Sequence, residues 1–312
     1  MEQPMVTVWC LTYNQKDYIR DALDGFVMQE TNFSYEVIVH DDASTDGTTD
    51  IINEYATNYP KIIKPVIETE NQWQRGGLKH IVAIMNEHYR HGKYIAFCEG
   101  DDFWTDSRKL QRQVDFLESH PDYSMCFHSA KKKYETDTIA WIDCENIQDR
   151  DYDATDIFVN WTVPTASILC RKEAMDFYAQ LKHPEKIQNY DIFIILSCAM
   201  KGKLRGMHEQ MSVYRIQGAG LTYNKEALIR CTMNNPEHFI TLKENFPIVD
   251  PVFIDDTISK VFFERAQVQG DCKLKIMDYY SSFKYSHIRF FRTVLKCLWG
   301  CKRIYLSCIK AW

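Results

Sequence analysis

The chain has 312 residues, 45% of them hydrophobic and 26% charged, with only 12 Gly and 9 Pro. That is the composition of one globular domain with an appendage; it excludes a disordered, collagenous or low-complexity chain. The net charge of −6 is unevenly spread: from Tyr279 to Trp312 there are seven basic residues and no acidic one, so the remainder is strongly acidic.

The eleven cysteines are odd in number and scattered, with no C-x-x-C, which reads as reduced thiols and not as a zinc site or a disulfide framework. The first residues, Met1-Glu2-Gln3-Pro4, carry no basic n-region or apolar h-region, and no 18-residue apolar run occurs. A cytoplasmic protein without a spanning helix is expected.

Met5 to Leu11 is a near-continuous apolar run that predicts a buried strand, and Ile19, Ala22, Leu23, Phe26 and Val27 follow at helical spacing. A second strand over Glu36 to His40 leads into Asp41-Asp42-Ala43-Ser44-Thr45-Asp46-Gly47, whose polar residues cap a helix that Pro60 stops. Ile62 to Ile67 is extended but holds Pro65, which makes it an edge strand or an irregular one. A helix from about Leu78 to Gly92 precedes a strand at Tyr94 to Cys98, and this opens onto Glu99-Gly100-Asp101-Asp102-Phe103-Trp104. Another helix (Leu110, Val114, Leu117) closes before Pro121. Tyr123 to Ser129, Ala166 to Arg171 and Met207 to Ile216 read as strands, with a helix after Asp191, and the pattern is helical from about Tyr223. The alternation implies an α/β fold with a mostly parallel central sheet and helices on both faces, residues 1–222, plus a helical C-terminal region, residues 223–312.

The two acidic segments carry the chemistry. Ligands of open α/β sheets gather beyond the carboxyl ends of parallel strands, and carboxylates clustered there repel one another unless a cation holds them. A divalent metal with a phosphorylated substrate meets that need. Asp42-x-Ser44-x-Asp46-Gly47 is no calcium loop: its twelfth position is Asn53 and a strand precedes it. Asp191 fits a helix N-cap and a general base equally well by spacing. Arg215, after Tyr214, reads as a phosphate ligand or a surface arginine; His40 and His208 read as structural histidines.

These residues resemble the family 2 glycosyltransferases, whose fold is the GT-A type. The motifs are Thr12-Tyr13-Asn14, Asp41 to Thr48, His91-Gly92-Lys93-Tyr94-Ile95 and Glu99 to Asp102, and the likeness spans roughly Val6 to Thr222. Within the family it is most similar to bacterial enzymes of capsular, exopolysaccharide or O-chain synthesis. The resemblance implies that Thr12, Tyr13, Asn14 and Asp42 bind the nucleotide base. It implies that Asp101 and Asp102 contact the ribose and a Mg²⁺ or Mn²⁺ on the diphosphate, and that Asp191 is the base for the acceptor hydroxyl. The implied partners are a UDP-linked sugar donor, hexosyl or N-acetylhexosaminyl, and a saccharide or lipid-linked acceptor; no nucleic acid is expected. The chain departs from the family at Leu11, where many members have Pro, at Glu99 in the first acidic slot, at Tyr190 before Asp191, and at Ile216-Gln217, where a His is common.

Two other classes stay open on the residues. A sugar nucleotidyltransferase would need a Gly-rich basic loop where Thr12-Tyr13-Asn14-Gln15 stands, and a non-catalytic nucleotide-sugar binder would not need Asp191. No G-x-G-x-x-G follows a strand, which excludes a dinucleotide dehydrogenase. In the tail, Arg289, Arg292, Lys296, Arg303 and Lys310 stack on one helical face opposite aromatic and aliphatic residues. Residues 284–312 are therefore expected either to pack as a terminal helix with its basic side on the acidic body, or to lie on an anionic membrane surface, which would place the protein on the inner face of the plasma membrane.

Overall fold

The computed structural model describes residues 3–76, 80, 83–85, 91–135, 140–143, 147–160, 163–217 and 225–286. Most of the expected helix from Leu78, and the basic stripe from Arg289 to Lys310, lie outside the described residues. The chain divides into two compact units, Met1–Gln180 with Tyr190–Gly218, and Leu181–Asn189 with Ala219–Trp312.

In the first unit the apolar runs pair as their composition demands. β1 (Val6–Thr12) is parallel to β2 (Tyr35–Asp41) on one side, with Val8 opposite Val37, and to β4 (Tyr94–Phe97) on the other, with Val6 opposite Tyr94. β3 (Ile63–Ile67) takes the edge beside β2, where the missing N–H of Pro65 breaks no central ladder. The other half of the sheet is mixed. The full order is β3-β2-β1-β4-β9-β6-β10-β5, with β9 (Leu169–Arg171) antiparallel to both β4 and β6. The strands expected at Tyr123 and Met207 run further than their apolar cores, as β6 (Tyr123–Glu135) and β10 (Lys203–Gln217), because each continues pairing in parallel with the other. Short β5 (Phe103–Trp104) and β8 (Asp151–Tyr152) pair antiparallel with β10, and β7 (Ala140–Asp143) with β6.

Helices cover this sheet with the faces the sequence marks as apolar. α1 (Ile19–Val27) buries Ile19, Ala22, Leu23 and Phe26, and Phe26 meets Trp104 edge-on at 5.0 Å. α2 (Thr48–Asn58) starts from Gly47 at φ 103°, a left-handed conformation that glycine adopts without a Cβ clash. After the short α3 (Gln72–Gly76), α4 (Lys109–Ser119) buries Leu110, Val114 and Leu117. α5 (Ala154–Asn160) and α6 (Tyr190–Ala199) complete the unit. α6 begins at Tyr190, so Asp191 lies in its first turn, not at the cap that spacing also allowed.

The second unit contains α7 (Lys225–Asn245), α8 (Pro251–Val268) and α9 (Cys272–Tyr285). Asp250 and Asp271 cap α8 and α9 by accepting the amides of Val252 and Leu274. Arg265 on α8 ties the three helices, donating to Glu237 on α7 and to Asp278 on α9.

Candidate active site

Parallel register brings both acidic segments to one end of the sheet. β1 and β2 end level, with Thr12 opposite Asp41, and the amides of Asp42 and Gly100 donate to Thr12 O (3.0 Å) and Leu11 O (2.9 Å). A Cβ on Gly100 would lie 2.5 Å from Gln15 Oε1, 2.7 Å from Thr12 Oγ1 and 2.8 Å from Thr12 Cβ, so any larger residue there must displace these side chains.

The first segment is built as a scaffold. Asp41 accepts from the amide and hydroxyl of Ser44 and from the Thr49 hydroxyl. Asp42 is buried and accepts the amides of Gln72 (2.5 Å) and Trp73 (3.0 Å) at the start of α3. Asp46 accepts the Thr48 hydroxyl and amide and the Lys16 amide; burial alone would raise its pKa, but these hydrogen bonds hold it below the usual range. Asn14 takes a left-handed φ of 50°, donates its amide to Ser44 Oγ (2.8 Å) and accepts the Thr45 amide on its side chain (2.8 Å). Thr12 is buried and donates to Gln15. Of the four residues expected at the base, Thr12 and Asp42 are buried and Asn14 is exposed with its side chain bonded to the Thr45 amide, while Tyr13 leaves its ring 44% exposed.

The second segment is clamped from β10. The Arg215 amide donates to Asp102 Oδ1 (2.8 Å), its Nε to the Asp101 carbonyl (2.7 Å), and its two terminal nitrogens to Asp21 and Glu135. The Arg215 side chain is 2% exposed and lies between the rings of Tyr18 and Phe103, 4.8 and 5.1 Å from their centroids. Arg215 is thus no surface arginine, and three of its five guanidinium N–H donors go to protein acceptors. Gln217 completes the clamp by donating to Asp101 Oδ2 (2.7 Å).

This geometry separates the carboxylates. Asp102, expected to ligate metal, is 2% exposed with one oxygen held by the β10 backbone, so it is turned into the protein. Its pKa is pushed well up by burial and then by Asp101 and Glu99. Asp101 and Asp191 are half-buried and Glu99 is open to solvent. Burial raises the pKa of Asp101, and burial raises that of Asp191 against a hydrogen bond from Thr165. Glu99 is pushed up to about 8 by burial and then by the charges of Asp191 and Asp101. On β10 the Tyr214 hydroxyl is pushed up to about 12 by burial first and then by the charges of Asp102, Glu99, Asp101 and Asp191. Glu99 thus lies near enough to Asp101 and Asp191 to feel both charges. Carboxylate oxygens are the donors a hard divalent cation takes, although among the described residues the three do not bring their ligand atoms within 4.8 Å of one another.

Outside this spot, His40 is buried with Nε2 3.2 Å from Glu68, and His208 is exposed with Nδ1 2.6 Å from Asp149. Asp149, His208 and Glu209 offer ligand atoms within 4.8 Å of one another on the surface. Sequence reasoning missed Asp21, Glu135 and Thr165. Asp21 and Glu135 reach Arg215 from 194 and 80 positions away, so no local signal announces them.

A parallel β3-β2-β1-β4 half, an antiparallel β9 and carboxylates beyond β2 and β4 define a GT-A glycosyltransferase fold. Residues 7–177 match the model of glycosyl transferase family 2, and the chain belongs to that family. It is 33% identical over 226 residues to an uncharacterized Mycobacterium tuberculosis protein, covering 70% of this chain and 61% of that one. It therefore spans under two thirds of that relative's length. A Bacillus subtilis glycosyltransferase provisionally assigned to teichuronic acid biosynthesis, TuaG, is 27% identical over 225 residues, 72% of this chain and 83% of the relative. Among solved structures, S. aureus TarS 1–349 in complex with UDP superposes with a TM-score of 0.63 at 13% identity, covering 98% of this chain and 92% of that one.

Proposed function

We propose that this glycosyltransferase moves a hexosyl or N-acetylhexosaminyl group from a UDP-linked donor to a hydroxyl of a lipid-linked or growing saccharide, with inversion at the anomeric carbon. The observation that carries the reading is the nearness of Glu99, beyond the carboxyl end of β4, to the charges of Asp101 and Asp191. The family membership, the relative assigned to polysaccharide synthesis and the fold of a UDP-bound neighbour support it. Residues 1–222 form the catalytic domain in this reading, and 223–312 the helical region.

Tyr13 offers its exposed ring to the nucleobase, while Thr12, Asn14 and Asp42 hold the loops around it. Glu99 and Asp101 would hold Mg²⁺ or Mn²⁺, and Asp102 anchors their turn to β10. When bound, the cation neutralises charge on the departing diphosphate. Asp191, its carboxylate steadied by Thr165, takes the proton of the acceptor hydroxyl as that oxygen attacks from the face opposite the leaving group. The protein works at the cytoplasmic face of an anionic membrane, toward which residues 284–312 supply basic charge. Among the described residues no helix is long and apolar enough to cross one.

The test is transfer from UDP-sugars to a polyprenyl-diphosphate saccharide, with the product anomer read by NMR. Retention of configuration, or transfer undiminished in Asp191→Asn, refutes the mechanism.

A further inference from the structure

Helix α9 is turned the opposite way from an ordinary surface helix. Its buried side presents Asp278, Tyr279 and Ser282. Asp278 receives Arg265 at 2.7 Å, the Tyr279 hydroxyl accepts from Gln267 at 2.7 Å, and Ser282 Oγ lies 3.3 Å from Ser259 Oγ. Its outer side carries Ile276 (50% exposed), Met277 (55%), Tyr280 (70%) and Phe283 (40%). Ile276, Tyr280 and Phe283 stand at i, i+4 and i+7, and Lys273, Met277, Tyr280 and Lys284 form the adjoining row. Asp278, the acid within the helix, faces inward onto Arg265, so the outer side is apolar and cationic.

The apolar exposure is concentrated in this unit. Of the large hydrophobic side chains left exposed among the described residues, six lie in the sheet unit and eleven in the smaller helical unit, five of these on α9. A contiguous exposed apolar surface of this kind marks a docking site.

We infer that the outer side of α9 is a membrane-docking surface for anionic phospholipid, resting on the membrane part of the function proposed above. Charge selects this occupant. Aliphatic and aromatic side chains enter the acyl boundary while lysine stems snorkel to headgroup phosphates. Each lysine near an anionic leaflet is attracted to it, and the sequence that continues from α9 adds six further basic residues beyond Lys284 and no acid. A second copy of this chain fits worse. A two-fold interface pairs one patch with itself, which along antiparallel α9 helices sets lysines against lysines.

The experiment is cosedimentation of the full chain with phosphatidylcholine vesicles, with and without phosphatidylglycerol. The variants are a face variant (Ile276→Ser, Met277→Ser, Tyr280→Ser, Phe283→Ser) and a tail variant (Arg289→Gln, Arg292→Gln, Lys296→Gln, Arg303→Gln, Lys310→Gln). The wild type binds vesicles containing phosphatidylglycerol. The face variant binds them at least roughly tenfold more weakly, as expected when buried apolar area sets the strength of interfacial binding. Its melting temperature stays near wild type, because the four side chains are exposed. Wild-type binding by the face variant with loss in the tail variant overturns this inference and leaves the membrane reading standing. No wild-type binding to either vesicle overturns both. A concentration-dependent wild-type dimer that the face variant abolishes, without vesicle binding, assigns the surface to a second copy and overturns the inference.

Discussion

Replacing Arg215 tests the architecture beneath the acidic turn. In Arg215→Met the Asp101 carbonyl, Glu135 and Asp21 each lose a guanidinium donor, while the backbone bond from residue 215 to Asp102 is preserved. The Asp21 arm counts for little, because its carboxylate is 48% exposed and water screens the pair. The Glu135 arm is 19% exposed and the Asp101 carbonyl is turned inward. Breaking a buried ion pair costs about 3–5 kcal/mol, so about 3 kcal/mol is expected after the discount for Asp21. At ~2–4 °C per kcal/mol for a unit of this size, the melting temperature should fall by ~6–12 °C. Arg215→Lys keeps the charge but not the fork that reaches three acceptors, so its loss should be intermediate. Both variants should raise the Mn²⁺ concentration needed for half-maximal UDP binding, measured by calorimetry across a metal titration. Asp21→Asn should do neither. An Arg215→Met protein that melts with wild type and binds UDP at the same metal concentration would refute the clamp.

Asp191→Asn should lower turnover by ~10²–10⁴-fold with UDP-sugar affinity unchanged, measured by steady-state kinetics beside calorimetry; parallel loss of both would mark a structural residue. Asp101→Asn should weaken metal-dependent UDP binding by at least about tenfold, the worth of one charge-assisted contact. Asp102→Asn, whose carboxylate faces the Arg215 amide, should shift that metal midpoint far less; equal shifts would show that Asp102 faces the cation. Gly100→Ala should destabilise by about 1–3 kcal/mol through overpacking on Gln15 and Thr12 and should abolish donor binding. Lys109 is fully buried, its Nζ 2.7 Å from Gln113 Oε1 and 4.1 Å from the Trp104 ring centroid, and burial lowers its pKa to about 7. Above pH 7 the unfolded chain, with an ordinary lysine pKa near ~10.4, binds more protons than the native state. Stability should therefore rise with pH from about 7 to 10, by at most ~1.4 kcal/mol per unit, and be lowest below pH 7 where the buried amine is charged. Lys109→Met should flatten that rise in denaturant titrations; parallel pH curves for the two proteins would contradict the assignment.

The half of the fold that was legible is the half made from contiguous patterns. β1, β2 and β4 read as buried strands because parallel strands covered on both faces are apolar throughout, and α1 and α4 declare themselves by spacing. Pro65 left β3 an edge or irregular strand by a rule about one missing N–H, and β3 is an edge strand. The two acidic segments read as one site because each follows a parallel strand, whose carboxyl ends must share one rim of the sheet. What each carboxylate does there was not legible. Asp101 and Asp102 are neighbours of one chemical type, and only the amide of Arg215, 113 positions further on, turns the second inward and leaves the first with Glu99. The inverted α9 is hidden for a related reason. Its lysines interleave with its apolar residues, so the sequence shows no clean stripe, and the pairing of Asp278 with Arg265 on α8 decides which side is buried. Local pattern settles which segments are strands and helices, because backbone hydrogen bonding and burial act on neighbours. The role of a charged side chain is settled by partners that folding brings from elsewhere in the chain.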